Sequence, residues 1–222
     1  MNRVPAGAAA LSFDYGREQE FYQSARLSAG RSHRHLELYL RALVADPETI
    51  FGSKRVLEIG AGQALYSRMI AESFAPRQVI ALDLVPAQLA AYQAANMAAG
   101  VFGVGGDCFH LPFRDESFDI VFGSLILHRF RELEKVVKEV YRVLRTDGLY
   151  LGIEPSLRNP LHLYRQFFAD HSPNEFLLTG TRVRTAFTRS GFQAEVRRLA
   201  PRFPFVCRLG LATCMGVWAE KE

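Results

Sequence analysis

The chain has 222 residues, 49% of them hydrophobic and 23% charged, enough for one well-buried core and short of two full domains. The formal charge is only +4, from 27 Lys and Arg against 23 Asp and Glu, and no compact basic block is present, so charge does not mark a nucleic-acid binder. Three cysteines at 108, 207 and 214 lack metal-site spacing and read as free thiols, and no stretch is long and apolar enough for a membrane span or a secretory leader; a cytoplasmic location is expected.

Residues 1–50 read as an N-terminal helical cap, helical from Glu18 to Ala45, with aromatics at Phe13, Tyr15, Phe21 and Tyr22. From Lys54 onward, short apolar runs alternate with helical patterns. Arg55 to Ile59 is a predicted strand that ends in glycines, Tyr66 to Phe74 a helix closed by Pro76, and Gln78 to Leu84 a second strand. Pro86 opens the next helix, where its missing N–H costs nothing, and Gly100 stops it. Val101 to Gly105 is a weaker third strand and Phe118 to Phe122 a fourth.

The clearest helix follows. Leu133, Val136, Val137, Val140 and Leu144 form one apolar face, and Glu134–Lys138 and Lys135–Glu139 are expected i,i+4 pairs on the other. Asp147-Gly148 is the turn into a fifth strand, Leu149 to Ile153. Residues 156–180 are aperiodic and rich in Pro, His and Asn. A later helix leads to two more strands, Glu195 to Leu199 and Ala212 to Ala219. Such alternation predicts an α/β fold: a Rossmann-like, doubly wound, mostly parallel seven-stranded sheet with helices on both faces. One domain is expected, with 54–155 as the core, 156–180 as a substrate lid and 181–222 as a C-terminal helix and strands.

Three strings carry chemistry. The first is Val56-Leu57-Glu58-Ile59-Gly60-Ala61-Gly62, a strand running into a glycine turn before a helix. Glycines there bring backbone and helix N–H groups close to a ligand. The dinucleotide fingerprint fails, because its third glycine would fall at Leu65. Glu58, two before Gly60, favours a cationic cofactor. The second is Asp83, with Leu84 after it, at the end of the second strand, where a carboxylate can accept from both ribose hydroxyls; the plain alternative is a cap on the helix at Pro86. The third is Gly105-Gly106-Asp107-Cys108, then Leu111-Pro112-Phe113 and Phe118-Asp119. Asp107 suits an exocyclic amine and the Cys108 backbone a ring nitrogen, though taken by itself this string is better explained as a turn aspartate with no ligand. All three lie at the carboxyl ends of strands, where open α/β sheets bind ligands.

In this order and spacing the strings resemble the class I S-adenosylmethionine-dependent methyltransferases, in particular the small-molecule group with the ubiquinone and menaquinone enzymes. The resemblance covers about residues 54–155. It implies an enzyme whose cofactor is S-adenosyl-L-methionine. Gly60 and Gly62 would lie under its methionine part, Asp83 at the ribose, Asp107 and Cys108 at the adenine, and the Ser124-Leu125 backbone at the amino-acid end. The family often has glycine where this chain has Ala64.

After the fourth strand comes Gly123-Ser124-Leu125-Ile126-Leu127-His128, without the prolines and aromatic of enzymes that methylate base nitrogens or glutamine amides. His128 is the candidate general base, since imidazole titrates near neutral pH; local packing is its alternative role. Substrate contacts are expected from Tyr22, Tyr164, Arg165, His171 and Asn174, and no metal is expected. The expected activity is methyl transfer to a small metabolite of natural-product, quinone or sugar-derived type. An RNA or protein methyltransferase and a non-catalytic cofactor-binding module are the alternatives. A monomer and a homodimer are both compatible with the sequence.

Overall fold

A computed structural model describes residues 14–16, 33–85, 87–89, 100–156, 176, 178–201 and 214–222. Among the described residues two helices, α1 (His33–Leu43) and α2 (Pro47–Phe51), precede the sheet. Asp46 caps α2: its carboxylate accepts from the Thr49 amide at 3.2 Å and hydroxyl at 2.6 Å, and Pro47 takes the first turn. The core then follows as β1 (Arg55–Ile59), α3 (Leu65–Ser73), β2 (Gln78–Asp83), β3 (Val101–Gly105) and β4 (Phe118–Ser124). A 3₁₀ turn at Leu127–Arg129, α4 (Leu133–Val143), β5 (Leu144–Pro155), α5 (Gly180–Arg189), β6 (Phe192–Leu199) and β7 (Cys214–Lys221) complete it.

The seven strands lie in the order β3-β2-β1-β4-β5-β7-β6. The first five are parallel, and β7 runs antiparallel to both β5 and β6. Near-continuous apolar runs in β1, β2, β4 and β5 follow from this, since helices cover both faces. One face buries Leu57, Val121 and Tyr150 under α4 and α5, where Phe187 tilts over Tyr150 at 4.7 Å between ring centroids. The other buries Val56, Phe122, Leu151 and Ile153 under α1 and α3, with Tyr66 4.9 Å from Phe122. The predicted seven-stranded, doubly wound sheet is therefore the observed fold.

Two local expectations change. The fifth strand begins at Leu144, so that residue belongs to β5 and Val143 is the last helical residue of α4. Asp147, at φ +58°, is a left-handed residue inside β5, where the register against β4 shifts between Phe118 and Ile120. The turn read from Asp147-Gly148 is thus a bulge in a longer strand. On α4 the expected i,i+4 pairs give way to i,i+3 pairs and to contacts beyond the helix. Lys135 pairs with Glu132 at 2.7 Å, and Glu139 with Arg142 at 2.8 Å. Glu139 also accepts from the Leu111 amide at 2.9 Å, and Arg142 donates to the carbonyls of Leu111 and Phe113 at 2.9 and 2.8 Å. Together they pin the loop after Asp107, which free helix-surface pairs could not do.

Candidate active site

The carboxyl ends of β1, β2, β3 and β4 meet at a crevice lined by Gly60, Gly62, Asp83, Asp107, Ile126 and Phe130, among others. Gly60 shapes its floor. With φ at +63° it takes a conformation that side chains disfavour, and a Cβ there would lie 2.5 Å from Ile126 Cδ1. The glycine turn between β1 and α3 therefore packs directly on the loop after β4. Ala64, just before α3, is also left-handed at φ +52° and fully buried. The alanine holds the turn geometry at a cost of about 1–2 kcal/mol.

Asp83 stands at the end of β2 and is nearly buried. One carboxylate oxygen accepts from the Gly62 amide at 2.7 Å, and the other from the Val85 amide at 2.8 Å. It thus ties the glycine turn to the β2 loop while still lining the crevice, so its local capping and its exposure to a ligand coexist. Asp107 lies across the opening. Its oxygens accept from the Phe109 amide at 2.9 Å and from the Tyr15 hydroxyl at 2.8 Å. Partial burial and the neighbouring carboxylate push the Tyr15 phenol up to about 12, so it stays a donor. Burial pushes the Cys108 thiol well up, which keeps it neutral.

Glu58 is buried behind the crevice, not on its wall. Its carboxylate accepts from the amide and hydroxyl of Ser67 on α3, joining β1 to that helix. Burial raises its pKa from 4.5 to about 7, against the pull of the Ser67 hydrogen bonds and with a smaller push from Asp83. The unfolded chain loses this proton near pH 4.5 and the folded protein only near 7. Stability should therefore fall as pH rises through that window, by on the order of 3 kcal/mol. Urea titrations at pH 5 and pH 8 measure the drop, and Glu58→Gln should flatten most of it. An equal drop in that variant would assign the effect to other groups.

Beyond β4, Leu125 adopts φ +57° and its amide donates to the Ile153 carbonyl at 2.8 Å. The chain then turns into the 3₁₀ segment, where His128 is buried and its Nδ1 lies 2.8 Å from Glu154 Oε2. Glu154, fully buried at the end of β5, also accepts from the amides of Ile126 and Leu127 at 2.9 and 2.8 Å. A carboxylate facing Nδ1 makes that nitrogen the donor and leaves Nε2 as the acceptor.

The expected cofactor residues Gly60, Gly62, Asp83, Leu84, Asp107, Cys108 and Leu125 all line the crevice. Ala61 and Ser124 stand beside lining residues in the chain, and His128 is flanked by Arg129, which lines it. Tyr22, Tyr164, Arg165, His171 and Asn174, with most of the lid segment 156–180, lie outside the described residues. Among the described residues no group of three or more His, Cys, Asp or Glu could hold a metal. Gln88, Glu154, Arg129 and Phe130 were not foreseen. Only Glu154 left a signal: an acid closing an otherwise apolar strand.

The fold is that of the class I methyltransferases. A solved S-adenosylmethionine-dependent methyltransferase from Mesorhizobium loti superposes with a TM-score of 0.65 at 21% identity, over 81% of this chain and 98% of that one. Residues 57–152 match the family described as "Methyltransferase domain". That segment is the domain of an enzyme, and S-adenosylmethionine is its indicated cofactor. A phthiotriol/phenolphthiotriol dimycocerosates methyltransferase of Mycobacterium leprae is 32% identical over 55% of this chain and 45% of its own. A fatty-acid O-methyltransferase of Mycolicibacterium smegmatis is 29% identical over 71% and 57%. The chain spans about half the length of the curated relatives it matches.

The donor set suits such a cofactor. Two carboxylates face the crevice as acceptors for a diol and an amine, and Ile126 and Phe130 add apolar surface. The enclosed space is about 110 Å³, below the roughly 300 Å³ of a complete ligand cavity. A nucleoside would extend into the open mouth beside Tyr15.

Proposed function

We propose that the whole chain is an S-adenosylmethionine-dependent methyltransferase that acts on a small-molecule acceptor, within the group that includes the quinone enzymes. The observation that carries this is the pair of carboxylates, Asp83 and Asp107, flanking the Gly60–Gly62 turn at the strand ends. When bound, the cofactor supplies an electrophilic methyl group on a sulfonium. Asp83 would accept from the ribose hydroxyls and Asp107 from the adenine amine, and the turn and the Ser124-Leu125 backbone would hold the amino-acid end. Glu58 acts from behind, fixing α3 to β1 through Ser67.

The protein's main contribution is positioning, which can supply roughly 7–11 kcal/mol of barrier reduction. His128, oriented by Glu154, takes the acceptor's proton at Nε2. The acceptor is a natural-product, quinone or sugar-derived metabolite; the phthiotriol and fatty-acid acceptors in the relatives' names support a small molecule. Residues 156–180 serve as its lid, with Tyr22, Tyr164, Arg165, His171 and Asn174 as contacts. No helix among the described residues is long and apolar enough to cross a membrane, and a cytoplasmic setting completes the proposal.

Calorimetry with S-adenosylhomocysteine tests it. Binding should be micromolar, and Asp83→Ala should weaken it by about 1.5–3 kcal/mol, the worth of hydrogen bonds to a charged acceptor. No binding to the intact protein refutes the reading; unchanged affinity in the folded variant removes Asp83 from the ribose. Turnover of methyl-labelled cofactor with any acceptor separates an enzyme from a binding module.

A further inference from the structure

A second, larger cavity opens at the far side of the same sheet edge. It has a volume of about 490 Å³ and is bounded by Ser156 just past β5, Met215 on β7, Arg197 and Arg198 on β6, and Thr181 and Arg184 on α5. Among the described residues its wall carries three arginines and no acid, together with the apolar side chains of Leu178, Val196 and Met215. Arg197 keeps an exposed ion pair with Glu195 at 2.7 Å, which is weak and screened. Arg198 shares the strand face of Val196 and Ala194, which pack on the core beneath α5, so it lies on the side of Arg184. Like charges gathered on a concave wall focus a positive potential that the modest net charge of the chain does not reveal. The mixture of guanidinium and aliphatic groups suits a ligand with one anionic oxygen group and an apolar portion.

Resting on the methyltransferase reading, we propose that this cavity holds an anionic group of the acceptor, a carboxylate or a phosphate ester, with Arg184 and Arg198 as its anchors. The position fits. β7 and β6 lie two and three strands from β4, about 10–15 Å at the usual strand spacing. An acceptor anchored here reaches back along the sheet edge toward His128 and the crevice. Arginine matches both anions through its forked donors. The site therefore selects amphiphilic acids over neutral molecules of the same length.

The test uses the full chain with octanoate, octyl phosphate and octanol as probes, followed by calorimetry in low salt. The two anions should bind saturably and octanol at least about tenfold more weakly; the tighter anion identifies which acid the acceptor carries. Arg184→Gln/Arg198→Gln should lose at least about tenfold for both anions, the effect of removing charge-assisted hydrogen bonds, while Arg184→Lys/Arg198→Lys keeps part of the binding. S-adenosylhomocysteine affinity should be the same in all three proteins, which also reports that they are folded. Equal binding of octanol and the anions, or undiminished anion binding in the Gln variant, overturns the proposal. So does a short RNA that binds more tightly than either anion and is lost in the same variant. Failure of the intact protein to bind S-adenosylhomocysteine counts against the methyltransferase reading, whereas selective anion binding would still stand.

Discussion

Glu154→Ala should destabilise the protein by about 3–5 kcal/mol, the usual result of removing one partner from a buried charged network. Glu154 has no exposed surface, and its two oxygens accept from the amides of Ile126 and Leu127 and face the imidazole of His128. The truncation leaves three N–H groups without their acceptor, two of them buried and each of those worth about 1–3 kcal/mol when unsatisfied. Those groups all lie on the loop after β4, so the loss spreads to the crevice through Ile126, which packs on Gly60. Urea denaturation reads the effect as a lower midpoint at constant slope. Glu154→Gln, which keeps one acceptor oxygen, should fall between wild type and alanine. A loss below about 1 kcal/mol in the alanine variant would mean that the loop holds its shape without Glu154.

His128→Asn should leave cofactor affinity within a few fold and lower turnover by about 10²-fold or more, since a positioned base typically contributes 10²–10⁴-fold. Asparagine keeps a donor toward Glu154 and nearly the same bulk, so the 3₁₀ turn retains its contact. It loses the basic Nε2. The His128 carbonyl accepts from the Phe176 amide at 2.8 Å, a backbone bond that the substitution spares. Single-turnover rates with the intact protein's own acceptor separate the two roles. Near-normal turnover would make His128 a strut between the β4 loop and β5, and transfer would then rest on positioning alone.

The crevice was largely legible in advance because its parts are local. A strand ending in glycines, an acid closing the next strand and an acid after the third are each a few residues long, and the parallel sheet brings strand ends together. Glu58 shows the limit of such reasoning. Its spacing before Gly60 suggested a ligand contact, but its side chain serves Ser67 on the following helix. On α4, charges spaced for i,i+4 pairing found partners elsewhere because Glu139 and Arg142 hold the loop after Asp107. The Tyr15–Asp107 bond joins residues 92 apart, and no pattern in the chain announces it.

The sequence alone determined the element order, the doubly wound sheet and the acids at the strand ends, because hydrophobic period and turn chemistry act over a few residues. It could not assign Glu154, which follows the predicted fifth strand, to His128, 26 residues away. Nor could scattered arginines on α5 and β6 announce one cavity. Those pairings depend on which strand ends become neighbours and which way each side chain leaves its strand. Both are settled only when the sheet closes its register and the helices pack against it.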